Sequence, residues 1–237
     1  MIASLSPSFG ALHLRRSLKR GLARQAVASA RKTHADHLTI FAEINRLGPI
    51  RPTMERSILR LRKARGVVSA GLAGSSMVII LRNACVLLTR ADGLDAFQED
   101  GLIYTRIVVA VAKGRVTTLI NRASFSLHAL ERFVERSDCK LGADYLTSVD
   151  SEAKTLLRSA MNEDIIENKD DSYVRARAEG VWAGSTDWTV PEPDWGFART
   201  DAGVPTFSAR TFLSPDEMKP EVWLRWKADP RFALTAA

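Results

Sequence analysis

The stretch Phe125–Ser137, FSLHALERFVERS, holds the residue types best suited to acid–base and anion chemistry. A helix opened by Ser124 or Ser126 places His128 in its first turn, near unpaired backbone N–H groups and the positive end of the helix dipole, where anions bind. At about 100° per residue, Arg132 shares the side of His128, Glu135 and Arg136 flank them, and Leu127, Leu130 and Val134 point away. A histidine moves protons near neutral pH, a glutamate orients it or acts as a base, and arginines hold phosphate and stabilise developing negative charge. Together these types suit phosphodiester cleavage. The same residues also serve as ordinary intrahelical ion pairs, Glu131 and Glu135 with Arg132 and Arg136, on a solvated face.

The elements around this helix add a resemblance. A β-hairpin followed by a helix carrying His-Ala-x-x-Arg-x-x-x-Arg, here His128, Ala129, Arg132 and Arg136, resembles BrnT-like members of the RelE superfamily of ribonuclease toxins. The resemblance spans little more than the helix itself. It implies an α+β domain that cleaves RNA without a metal. It also implies a basic and hydroxyl pair on a late strand, for which Arg210-Thr211 in FSARTFLS is the candidate, the alternative being a plain strand with an exposed arginine.

Charge points to a partner. The formal charge of +7 is uneven: residues 1–66 hold 14 Lys or Arg against three Asp or Glu, a net of +11, and the remaining residues hold 20 against 24, a net of −4. A basic segment suits a polyanion, because each neutralised phosphate releases condensed counterions. Nucleic acid is therefore the leading partner, RNA ahead of DNA, with Arg15, Arg16, Lys19, Arg20, Arg24, Arg60, Arg62, Lys63 and Arg65 as its contacts. The other readings are a solvated helix face, an arm against an acidic protein or the acidic remainder of this chain, and a targeting segment like a mitochondrial transit peptide.

The elements expected to carry these residues make an α+β fold: basic N-terminal helices, a central antiparallel sheet with packed helices, and short C-terminal strands. Residues 1–66 read as a basic helical extension and 67–237 as the α+β core. Ala11–Leu47 is mostly helical, Gly48-Pro49 stops it, and Pro52 opens a second basic helix that Gly66 closes. From Met77 the β-branched runs MVIIL, CVLLT, LIYTRIVVAVA and RVTTLIN, broken at Ala91-Asp92-Gly93 and Lys113-Gly114, predict an antiparallel meander. A helix is expected over Ser151–Ile166, capped by Asp150 or Ser151, with an acidic loop over Glu163–Asp171. Short strands follow at Tyr173–Ala176, Gly180–Ser185 and Phe207–Ser214, and a terminal helix docks through Trp223 and Trp226.

Several classes lose their usual signatures. Cys85 and Cys139 have no CxxC spacing and read as reduced thiols. His34-Ala35-Asp36-His37 offers metal-capable types without a completing HExxH or cysteine cluster, so no metal is assigned. No GxGxxG, GxxxxGK[ST] or GxSxG occurs, and no cofactor is expected. The longest uncharged apolar stretch, Gly66–Leu81, is broken by Gly and Ser and falls short of the roughly 20 residues a membrane helix needs. The expectation is a cytoplasmic protein that acts on nucleic acid, as a metal-independent ribonuclease or as a non-catalytic nucleic-acid-binding or protein-interaction subunit.

Overall fold

The computed structural model describes residues 9–47, 51–91, 94–112, 115–137, 144–159, 165–168, 171–190 and 203–228. The chain runs α1 (Phe9–Lys32), α2 (His37–Asn45), α3 (Arg51–Leu61), β1 (Val67–Ala73), β2 (Ser76–Ala91), β3 (Leu94–Ala112), β4 (Arg115–Ser126), α4 (Leu127–Arg136) and α5 (Tyr145–Ser159). It continues through β5 (Ile165–Asn168), β6 (Asp171–Arg175), β7 (Val181–Thr189), β8 (Val204–Leu213), a 3-10 turn (Pro215–Glu217) and α6 (Pro220–Ala228). The fold is α+β. All eight strands form one sheet, ordered β1-β2-β3-β4-β8-β7-β6-β5. Every neighbouring pair is antiparallel except β4 and β8, which run parallel with Arg122 beside Thr206 and Phe125 beside Ala209. That seam joins the expected meander to the C-terminal strands.

Side-chain alternation divides the sheet into two faces. On one face Leu102, Tyr104, Ala123, Phe125, Trp182, Phe207 and Phe212 pack under α1, α4 and α5. Trp182 is at the centre, its ring centroid 4.8 Å from Phe125, 5.1 Å from Phe133 and 5.2 Å from Phe212. On the opposite face α2 and α3 cover Ala70, Met77, Ile79, Leu81, Ile107 and Val109 at the β1–β3 end. At the other end of that face, α6 covers Tyr173, Val181 and Ala183 through Val222 and Trp226. Residue 66 thus marks a change of charge and secondary structure rather than an edge of the core, since α1 supplies the buried Ala23, Ala26, Val27 and Ala30. Among the described residues, no helix is long and apolar enough to cross a membrane.

The N-terminal helical region breaks at Thr33–Asp36, where the Asp36 side chain accepts from Thr39 N and caps α2. Gly66, expected as a helix stop, has φ +75°, and a Cβ there would stand 2.4 Å from Ala35 Cα, so glycine is required both for conformation and for close approach. The β1 strand was not anticipated, because its glycines and serines dilute the apolar run, yet Gly74 at φ +61° turns it tightly into β2.

The expected Ser151–Ile166 helix lies earlier, at Tyr145–Ser159, with the Asp144 carboxylate accepting from Thr147 N at 3.3 Å at its start. Asp150 is not a cap. It accepts two bonds from Arg82 Nη1 at 2.6 and 2.7 Å and one from Tyr104 Oη at 2.8 Å, tying α5 to β2 and β3. Burial, with the Asp150 carboxylate alongside, pushes the Tyr104 phenol well above its ordinary value. Within the expected acidic loop, Ile165–Asn168 pairs with β6 as β5. Trp182 and Trp226 are buried as core residues, Trp188 is exposed, and Trp195 lies outside the described residues.

Candidate functional site

On the face shared by α2, α3 and α6 no described helix covers the seam between β4 and β8, where Arg122, Ser124, Ser126 and Thr206 are buried and Arg210 is exposed. In β4, Arg122, Ser124 and Ser126 alternate with the core residues Ala123 and Phe125. In β8, Thr206, Ser208 and Arg210 alternate with Phe207 and Ala209. The apolar set faces α1, α4 and α5, and the polar set faces outward into a cavity of about 1060 Å³. Both parallel strands run toward the same end of this cavity. Helix α4 begins there directly after Ser126, the arrangement in which α/β proteins place ligands beyond the carboxyl ends of parallel strands.

Two residues singled out on sequence grounds meet here. His128, exposed in the first turn of α4, and Arg210, exposed on β8, both line the cavity. Arg210 donates from Nη2 to Ser185 Oγ at 2.9 Å, and Ser185 donates to Asp187 Oδ2 at 2.8 Å, which steadies the guanidinium at the wall. Arg122, 2% exposed, reaches Thr189 Oγ1 at 3.5 Å; Thr189 and Thr206 share a 2.6 Å hydrogen bond between their hydroxyls. Glu99 completes the wall beside the histidine, its Oε1 accepting the backbone N–H of His128. Ser126 Oγ accepts from Ala129 N at 3.0 Å. The anion expected at the start of α4 is therefore supplied by the chain itself, as the Glu99 carboxylate.

No family model, curated protein or solved structure matches this chain. The site is accordingly read from its own chemistry.

The other residues expected on the α4 face are held outside the cavity. Glu135 accepts from Arg20 Nε at 2.5 Å and from Arg132 Nη1 at 3.2 Å. Arg136 bonds the Phe212 carbonyl and pairs with Glu217 at 2.6 Å, and burial lowers its pKa from the ordinary arginine value. Arg132, Glu135 and Arg136 thus hold α4 to α1, β8 and the turn before α6, and Glu99, not Glu135, stands beside His128. Glu99 escaped sequence reasoning because it lies 29 positions before His128 on another strand. The hydroxyl rows left a legible signal, the alternations RASFS and TFSAR at positions 122–126 and 206–210.

The cations expected to grip nucleic acid divide in the same way. Arg24 pairs with Glu131 at 3.2 Å, Arg31 with Asp100, and Lys19 Nζ reaches the Glu135 carbonyl at 3.4 Å. Together with Arg20, these contacts make α1 an arm against the chain's own acidic residues. The Arg20 pKa rises through its bond with Glu135. The side chains of Arg15 and Arg16 lie outside the described residues. Arg60 reaches Glu43 at 3.3 Å, Arg62 donates to the Ala70 carbonyl at 2.9 Å, Arg65 donates to the His34 carbonyl at 3.4 Å, and Lys63 is exposed.

The metal-capable run serves α2 instead. The rings of His34 and His37 are 6.0 Å apart, His37 Nε2 bonds Asn83 Nδ2 at 3.0 Å, and hydrogen bonds to Thr39 hold the Asp36 carboxyl below its usual range. Half-buried Cys85 lines the cavity, and Cys139 lies outside the described residues.

The cap at the head of the site has a measurable weight. Ser126→Ala removes the hydroxyl that accepts from Ala129 N, and loss of such a cap costs about 1 kcal/mol. Urea denaturation of the variant is expected to show an unfolding free energy lowered by that amount, read as a lower midpoint at an unchanged slope.

Proposed function

We propose that this is an intracellular, metal-independent endoribonuclease whose reactive centre is the β4–β8 cavity. The observation that carries the reading is that His128, from a helix start, and Arg210, from a distant strand, line the same cavity as Glu99. Cleavage of RNA without a metal needs a base to take the proton of the 2′-hydroxyl and an acid to protonate the departing 5′-oxygen. It also needs cations at the phosphate oxygens that gain charge.

Glu99 provides the carboxylate, bonded to the backbone N–H of His128, and His128 provides the imidazole, both in the cavity lining. Glu99 takes the 2′-proton as the 2′-oxygen bonds to phosphorus, and His128 gives a proton to the 5′-oxygen as its bond to phosphorus breaks, leaving a 2′,3′-cyclic phosphate. Arg210, at the cavity wall, holds the phosphate, and the Ser and Thr rows offer donors and acceptors to sugar and base edges. Arg122 adds positive charge to the floor. RNA is preferred over DNA because the attacking hydroxyl belongs to ribose.

The test is incubation of the purified full chain with single-stranded RNA in the presence of excess chelator, with the termini read by mass spectrometry. Fragments ending in 2′,3′-cyclic phosphate are expected. Intact RNA, or cleavage that stops when chelator is added, removes the proposal. The alternative, a non-catalytic nucleic-acid-binding or protein-interaction subunit using the basic N-terminal helices, predicts intact RNA in the same assay.

A further inference from the structure

The cations of the N-terminal third lie on two different faces of the sheet. α1 packs with α4 and α5 on the opposite face of the sheet, where Arg20, Arg24 and Arg31 pair with Glu135, Glu131 and Asp100. α2 and α3 pack on the cavity's own face: they cover Ile79, Leu81, Ile107 and Val109, and the same strand sides continue as Cys85, Leu87 and Ile103 in the cavity lining. α3 shares the face of the cavity, while from α1 Arg24 lines a smaller adjoining cavity together with Glu99 and His128.

α3 is built for such a neighbour. It buries Met54, Ser57, Ile58 and Leu61 against the sheet, which at about 100° per residue turns Arg56 and Leu59 outward with Arg60 at their flank, and the exposed Lys63 follows in the turn after Leu61. Residues 46–65 contain seven Lys or Arg and a single acid, Glu55, which pairs with Arg51 at 3.0 Å. Arg46 and Arg60 share the buried Glu43 and keep side-chain exposures of 72% and 62%, as Arg24 keeps 69% beside Glu131. Arg56 bonds only within its own helix, to the Pro52 carbonyl at 3.4 Å. A membrane surface is a poorer match, because an interfacial helix needs a broad apolar face, and Leu59 is the single large apolar residue that α3 turns to solvent.

We propose that single-stranded RNA lies along the outward face of α3, its phosphates held by Arg56, Arg60 and Lys63, and that this face delivers the strand to the β4–β8 cavity. The inference rests on the reading of that cavity as an RNA site and adds to it the substrate form and the route. A single strand is required because in-line attack by the 2′-hydroxyl needs rotations of the backbone that an A-form duplex forbids.

The experiment uses the full chain carrying His128→Ala, so that bound RNA stays intact, and follows the fluorescence anisotropy of a labelled oligouridine across a salt series. Arg56→Glu with Lys63→Glu is expected to weaken binding at least about tenfold and to flatten the salt dependence by roughly 1.4 in slope, the value for two lost phosphate contacts on a single strand. Lys19→Gln with Arg20→Gln, on the opposite face of the sheet, is expected to change affinity less than about twofold, circular dichroism confirming that it is folded. Equal binding by the α3 variant and its parent overturns the proposal, as does a larger loss from the α1 variant. Binding to vesicles of anionic phospholipid without binding to oligouridine overturns it in favour of a membrane surface. Cleavage by the native chain that His128→Ala does not reduce would sink the cavity chemistry while leaving the α3 measurement standing.

Discussion

His128→Ala is expected to slow RNA cleavage by about 10²- to 10⁴-fold, the contribution of one positioned acid–base group. The variant separates chemistry from folding. His128 is exposed on α4, while the neighbouring Ala129, Leu130, Phe133 and Val134 are the residues that helix buries. Its backbone N–H to Glu99 and the Ser126 cap are main-chain and neighbouring contacts that alanine keeps. Thermal melts of parent and variant should therefore superimpose while rates diverge. Glu99→Gln, which keeps side-chain size, should slow cleavage as well. A His128→Ala protein that cleaves at the parental rate refutes the assignment, and so does a loss of rate that tracks a loss of helix content.

Glu152→Ala is expected to cost about 3–5 kcal/mol of stability, since each buried donor left without its acceptor costs about 1–3 kcal/mol. The Glu152 carboxylate, 3% exposed, accepts from Arg177 N at 2.9 Å, Ala178 N at 2.8 Å and Trp182 Nε1 at 3.1 Å. It joins α5 to the β6–β7 connection and anchors the tryptophan at the centre of the larger core.

Its pH dependence has a definite sign. Burial raises the Glu152 pKa above the ordinary carboxyl value, against the lowering effect of the three hydrogen bonds. A carboxyl raised on folding contributes its full stability below its unfolded pKa and loses part of it as pH rises through the folded value. The cost of Glu152→Ala, measured by urea denaturation, should thus be largest in acid and shrink above the ordinary carboxylate range. A cost that grows with pH would show that the hydrogen bonds outweigh burial.

Fold and site were legible to different depths. The meander of β2, β3 and β4 and the start of α4 were readable because their signals are local: β-branched runs, glycine turns, and a serine ahead of an apolar stripe. Helix α5 was misplaced because Asp150 and Ser151 look like caps, whereas Asp150 is drawn into the sheet by Arg82 and Tyr104, from strands more than 40 positions away. β5 was read as loop because an acidic setting hid a four-residue strand that needs β6 beside it to exist.

The sequence by itself determined the α+β class, the alternation that sorts each strand into two faces, and the residue types available for chemistry. It also determined that a histidine would open α4, since Ser126 and the Leu127, Leu130 and Val134 stripe are encoded within a dozen positions. Only the tertiary structure decided what those residues meet. Glu135 went to Arg20, Glu99 came to His128, and Arg210 arrived through a parallel pairing of β4 with β8 that no local pattern specifies. The physical reason is that side-chain partners across a sheet are chosen by strand order and register, which depend on how all the buried surfaces pack at once.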